Sequence, residues 1–174
     1  MAFSVLPNSY IIAKWTVYTL ATLLLAALQH LILNHISLFS VTPFIYPLLP
    51  ALVASYEGLQ RGSKFALAVG IVCDLLIAGP FEGFYTIIFT LIGILAALIG
   101  KYLLSPGWLC GLTVSAMALG LTDLARLLLY FLAGELRPFL MGHIILIEML
   151  ITLPTILVAL PLYRWIHSRC ATDY

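Results

Sequence analysis

Residues 15–56 read WTVYTLATLLLAALQHLILNHISLFSVTPFIYPLLPALVASY, and between Lys14 and Glu57 there is no Asp, Glu, Lys or Arg. A transmembrane helix takes about 20 residues, so this run is too long for one span and must turn within it. Gln29-His30 and Asn34-His35 supply a polar break, followed by Pro43, Pro47 and Pro50. The continuous block Leu23-Leu24-Leu25-Ala26-Ala27-Leu28 argues against a β-barrel, whose strands alternate apolar and polar residues. The expectation is one helix over residues 15–33 and a shorter one over 42–56, which its prolines would kink or make re-entrant.

The rest of the chain reads the same way. Of its 174 residues 63% are hydrophobic and 9% charged, and the mean hydropathy is +1.14. Soluble domains carry about 25% charged residues. Such a chain cannot cover a folded surface with polar groups, which excludes a soluble enzyme, a disordered chain and a nucleic-acid binder. Further helices are expected over 64–78, 84–104, 108–133 and 139–163, with Pro154 and Pro161 as kinks in the last. The turns between them are Glu57–Lys64, Gly79-Pro80-Phe81-Glu82-Gly83, Ser105-Pro106-Gly107 and Gly134-Glu135-Leu136-Arg137-Pro138. The result is a single all-α domain, a six-transmembrane-helix bundle over residues 1–174. No small-residue cleavage site follows the first apolar run, so it reads as a retained helix rather than a signal peptide.

Charge sets the expected orientation. With six helices, Lys14, Arg61, Lys64, Lys101, Arg164 and Arg169 fall on the side of the termini, and Arg137 alone falls opposite. The positive-inside rule makes both termini cytoplasmic. Trp15, Trp108 and Trp165 fall near the cytoplasmic helix ends, as an aromatic belt would.

Gly58, Gly62, Ala66, Gly70, Asp74 and Ala78 recur every four residues. Small residues at this spacing let helix backbones approach closely in lipid, so Gly62, Ala66, Gly70, Asp74 and Ala78 read as a helix-packing seam. Gly93 and Ala97 form a second, weaker one. Asp74, Asp123, Arg126 and Glu148 fall inside expected spans, where an unpaired charge costs about 2.5–3.5 kcal/mol on the insertion scale. They are expected to form one polar cluster toward the outer face, with His143 nearby. Asp123 and Arg126, three apart, can pair on one helix face. Three roles are open: a register-fixing structural cluster, an outward-facing binding pocket, or a docking surface for another membrane helix. Glu148, Thr152 and Thr155 make a polar stripe that suits the first or third.

No catalytic constellation, metal-ligand spacing or cofactor motif is visible, so a non-enzyme is expected. His30, His35, His143 and His167 stand singly near helix ends. Cys73, Cys110 and Cys170 are far apart, and the first two lie in apolar runs.

The region from Pro47 to about Leu104 resembles the MreD family of rod shape-determining membrane proteins. The resemblance lies in Pro47-Leu48-Leu49-Pro50, the turn Glu57-Gly58-Leu59-Gln60-Arg61-Gly62, and Gly70-Ile71-Val72-Cys73-Asp74-Leu75-Leu76, which is similar to the family's Gly-Leu-Leu-x-Asp-Leu pattern. Pro80-Phe81-Glu82-Gly83 resembles its Pro-Leu-Gly turn with one extra residue. The match covers the whole chain in architecture and about a third of it in motif, and the motif is made mostly of common membrane residues. The resemblance implies a scaffold without chemistry of its own in the bacterial cell membrane. It would bind MreC, and through it MreB filaments, RodA and a class B penicillin-binding protein, to direct peptidoglycan synthesis and rod shape. A neighbouring resemblance is to the substrate-binding S component of energy-coupling-factor vitamin transporters, which also has six helices. Its first-helix small residues are echoed loosely by Ala21, Ala26 and Ala27. A proton-coupled channel is a third option, resting only on the buried acids.

Overall fold

A computed structural model describes residues 8–35, 41–105, 107–134 and 138–170. Its helices are α1 (Asn8–Leu31), α2 (Leu48–Leu76), α3 (Phe84–Leu98), α4 (Trp108–Leu132), α5 (Pro138–Thr152) and α6 (Ile156–Cys170). A 3-10 turn, Leu33–His35, follows α1, a π-helical turn, Ile99–Leu103, extends α3, and a 3-10 turn, Leu153–Thr155, joins α5 to α6. Among the described residues, four stretches are long and apolar enough to cross a membrane: Ile12–Leu31, Phe84–Leu103, Trp108–Leu132 and Gly142–Arg169. Large apolar side chains such as Ile12, Leu24, Leu75, Leu109, Leu146 and Leu157 are exposed around the bundle. Exposure on that scale belongs in lipid.

The pattern around Gly58 explains α2. Gly58 has φ 76° and ψ −177°, which no helix interior adopts and which suits only glycine. A Cβ on Gly62 would stand 2.5 Å from the Ala54 Cα. Residues eight apart in a straight helix stand about 12 Å apart, so the chain doubles back at Gly58. The first arm, residues 48–57, and the second, residues 59–76, therefore correspond to two of the helices expected from the sequence.

The first arm begins later than expected, at Leu48 rather than residue 42. Pro43 and Pro47 have no N–H to give a helix and restrain the residues before them. At 1.5 Å per residue the arm is about 15 Å long, half the thickness of a bilayer's hydrocarbon core. Leu48 to Ser55 are all buried, so this short helix runs through the centre of the bundle. The irregular backbone leading into it is held by side chains of other helices. Gln29 on α1 donates from Nε2 to the Pro43 carbonyl at 2.6 Å and accepts from the Ile45 N–H at 3.1 Å. The Thr152 hydroxyl on α5 accepts from the Phe44 N–H at 3.1 Å. Non-helical backbone at membrane depth is tolerated only where protein satisfies it in this way. Gln29, a chain break by its polarity, is instead 2% exposed and serves as a clamp.

The second arm packs on α3 through backbone-to-backbone approach. A Cβ on Gly93 would stand 2.5 Å from the Ala66 Cβ, and one on Gly70 would stand 2.7 Å from the Thr86 Cα. Without a hydrophobic drive between helices in lipid, such close packing is what holds them. Ala78 is a correction to the expected seam. The helix ends at Leu76, Ile77 turns to extended geometry, and Ala78 is exposed beyond it.

The expected last helix, residues 139–163, is interrupted at Leu153–Thr155 and runs on to Cys170. Pro154 sits in the interruption, where it frees a carbonyl and cannot donate. Pro161 stays inside α6 without breaking it. The core also ties α1 to α6. Tyr18 stacks on Tyr163 with ring centres 6.1 Å apart, and the Tyr163 and Thr22 hydroxyls lie 2.9 Å apart.

Candidate functional site

Asp74 lies near the end of α2, one helical turn beyond Gly70. The first N–H groups of a helix have no partner inside it. At the start of α3 the capping position is Gly83, in the left-handed region at φ 84°, with no side chain to offer. Asp74 takes over from the neighbouring helix. Its Oδ1 accepts from the Tyr85 N–H at 2.9 Å, and its Oδ2 from the Thr86 N–H at 2.8 Å and the Thr86 hydroxyl at 2.5 Å. The carboxylate also sits at the positive end of the α3 dipole. Gly70 makes the contact possible, since it brings α2 against the backbone of the same two residues.

That placement separates Asp74 from the cluster it was expected to join, because the start of α3 supplies all its donors. Asp123 and Arg126 on α4 and Glu148 on α5 do come together. Arg126 Nη1 lies 3.6 Å from Asp123 Oδ1 and 3.4 Å from Glu148 Oε1. Its Nη2 donates to the Tyr85 hydroxyl at 3.2 Å, and its guanidinium lies 4.4 Å from the centre of the Phe44 ring. Tyr85 thus links the two acidic sites, with its backbone on Asp74 and its hydroxyl on Arg126. Asp123 is 3% exposed, and its Oδ2 is buried without a hydrogen-bond partner.

The cluster opens on a cleft of about 460 Å³ between α4, α5 and the loop after α2. Pro80, Tyr85, Asp123, Arg126, Tyr130 and Glu148 are among its walls. That volume lies within the range of small-molecule sites. His143 is exposed on α5. Thr152 holds the Phe44 backbone, and the Thr155 hydroxyl donates to the Thr152 carbonyl at 2.6 Å, so the lower part of the α5 stripe is structural. The turn carrying Arg137 lies outside the described residues.

A second charged site, not singled out from the sequence, forms at the bend of α2. Glu57 Oε1 lies 2.7 Å from Lys14 Nζ, accepts from the Tyr18 hydroxyl at 2.9 Å, and stands 3.3 Å from His167 Nδ1. The carboxylate side chain is 3% exposed. Burial pushes its pKa up, but hydrogen bonds from His167, Lys14 and Tyr18 and the Lys14 charge outweigh burial and hold it at about 2. Three helices, α1, α2 and α6, meet on this one acid. The clue was available, because Lys14 and Glu57 are the charges that bracket the long uncharged run.

Among the described residues, no group of three His, Cys, Asp or Glu side chains is placed to hold a metal ion. Cys73 and Cys110 are buried free thiols. Set against family models, curated proteins and solved structures, the chain matches none of them.

Proposed function

We propose that this protein is a non-catalytic scaffold of the bacterial cell-elongation complex, binding MreC and linking MreB filaments to RodA and a class B penicillin-binding protein. The observation that carries this reading is the unit formed by α2 and α3. Four of the residues through which the sequence resembles the MreD family have a part in that unit. Gly58 reverses the chain, Gly62 and Gly70 let backbones touch, and Asp74 closes the start of α3. A motif that builds a unit of this kind specifies a fold and not a reaction, which suits a protein that works by presenting helix faces.

In this reading the two arms of α2 join the four long apolar stretches to make six passes. The first arm's pass is completed by the buried irregular segment before it. Six passes put Lys14, Arg61, Lys64, Lys101, Arg164 and Arg169 on the cytoplasmic side with both termini. The loops are short, so partners meet the protein mainly within the bilayer. Depleting the protein from its native rod-shaped cells should make them round while vitamin uptake is unchanged. Rods that keep their shape but lose uptake would reverse the assignment.

One observation favours a second reading, a substrate-binding S component of an energy-coupling-factor transporter. The cleft beside Arg126 has the volume and mixed lining of a vitamin-sized site.

A further inference from the structure

The α4–α5 cleft is short of positive charge. Among the described residues its walls carry two carboxylates, Asp123 and Glu148, against one guanidinium, Arg126. That guanidinium is already shared. One terminal nitrogen spans both carboxylates at 3.4 and 3.6 Å, and the other is turned to Tyr85. Charge-assisted bonds to a carboxylate form at about 2.7–2.9 Å, so neither acid is fully satisfied by Arg126. The Oδ2 of Asp123 has no hydrogen-bond partner although the residue is 97% buried, the complement of its 3% exposure. A buried carboxylate oxygen in that state calls for a donor, and the charge imbalance calls for a cationic one.

The other walls say what kind of cation. Tyr85 and Tyr130 bring aromatic rings to the walls, and Leu127, Ile144 and Ile145 offer apolar surface. Hard metal ions take six or more oxygen ligands, which two carboxylates do not provide. An organic cation with an apolar body uses both kinds of wall.

We propose that the α4–α5 cleft binds a protonated primary amine, whose ammonium donates to Asp123 and Glu148 while its apolar part lies between Tyr85, Tyr130 and Ile145. The ammonium is carried either by a free small molecule or by the headgroup of phosphatidylethanolamine. This site takes Tyr85 and the loop after α2 from the α2–α3 unit, but its charged groups all stand on α4 and α5, and it stands whether or not the scaffold reading holds.

The test uses the full chain in detergent at pH 7, with 2-phenylethylamine as the probe. Its neutral and anionic counterparts, 2-phenylethanol and 3-phenylpropanoate, are the controls. The amine should raise the thermal midpoint saturably, and the controls should not. Asp123→Asn should weaken the apparent affinity about tenfold, the loss of one charged hydrogen bond. Glu148→Gln should weaken it as well. Tyr130→Ala, on the exposed rim, gives a variant that does not depend on core packing and should weaken it less. In nanodiscs, competition by phosphatidylethanolamine but not phosphatidylcholine would make the lipid the source. Equal probe binding in both discs would make it a free amine.

Equal shifts from the alcohol or the carboxylate would overturn the proposal. So would an amine response unchanged in both Asp123→Asn and Glu148→Gln. A wild-type protein blind to the amine, with a response appearing only in Arg137→Gln, would also overturn it, by showing that the chain supplies its own cation.

Discussion

Asp74 holds two backbone N–H groups and a hydroxyl at the start of α3, and its replacement exposes what that is worth. Asp74→Ala leaves both part-buried N–H groups without that acceptor and should cost about 2 kcal/mol. Asp74→Asn keeps one acceptor oxygen and turns an amide donor toward other donors, so about 1 kcal/mol is expected. Chemical unfolding in detergent would read both. Gly70→Ala pushes α3 away from the same carboxylate. Its loss and that of Asp74→Ala should therefore sum to more than the double variant shows. Glu57 gives a prediction in pH. A carboxylate held at about 2 in the folded protein against an ordinary 4.5 stabilises the fold above about pH 4.5. That stabilisation is lost as pH falls toward 2. The thermal midpoint of the wild type should drop across this window, and Glu57→Gln should start lower and drop less. Equal slopes would show that the ion-pair junction contributes nothing.

At the scale of elements, the glycines divide into those that touch a neighbour and those that do not. Gly93→Ala would place a methyl 2.5 Å from the Ala66 Cβ, and Gly100→Ala would place one 2.5 Å from the Ser55 carbonyl oxygen. Gly120 has open space around its Cβ position. The first two substitutions should lower the yield of folded protein, while Gly120→Ala should be neutral or slightly stabilising. Size-exclusion profiles of the three variants would settle the contrast. The stripe from Gly62 to Asp74 was legible because four-residue spacing of small residues has one physical use in lipid. The central arm was harder to read. Its apolar run suggested a full second helix, but Pro43 and Pro47 deny the chain helical hydrogen bonds before Leu48. The clamp that compensates, Gln29 on α1 and Thr152 on α5, joins residues far apart in sequence, which no local pattern reveals. Asp74 shows the same limit. That it faces protein was readable from the stripe, but its partner was the start of another helix rather than a charged residue.

For the whole molecule, the surface and the interior divide the labour. Apolar side chains cover the outside, while the interior carries Glu57 at one junction and Arg126 with its two acids at another. Asp123, Arg126 and Glu148 were drawn together on the reasoning that membrane-buried charges need partners. Their cleft between α4 and α5 depends on how two helices diverge, which lies beyond sequence periodicity. A scaffold should be found with its neighbours still attached. The most direct measurement is affinity purification of the protein from its native membranes in mild detergent, with mass spectrometry of everything that comes with it. MreC, RodA and a class B penicillin-binding protein are the expected companions. Recovery of a coupling subunit with its ATPases, and none of the elongation proteins, would contradict the scaffold assignment.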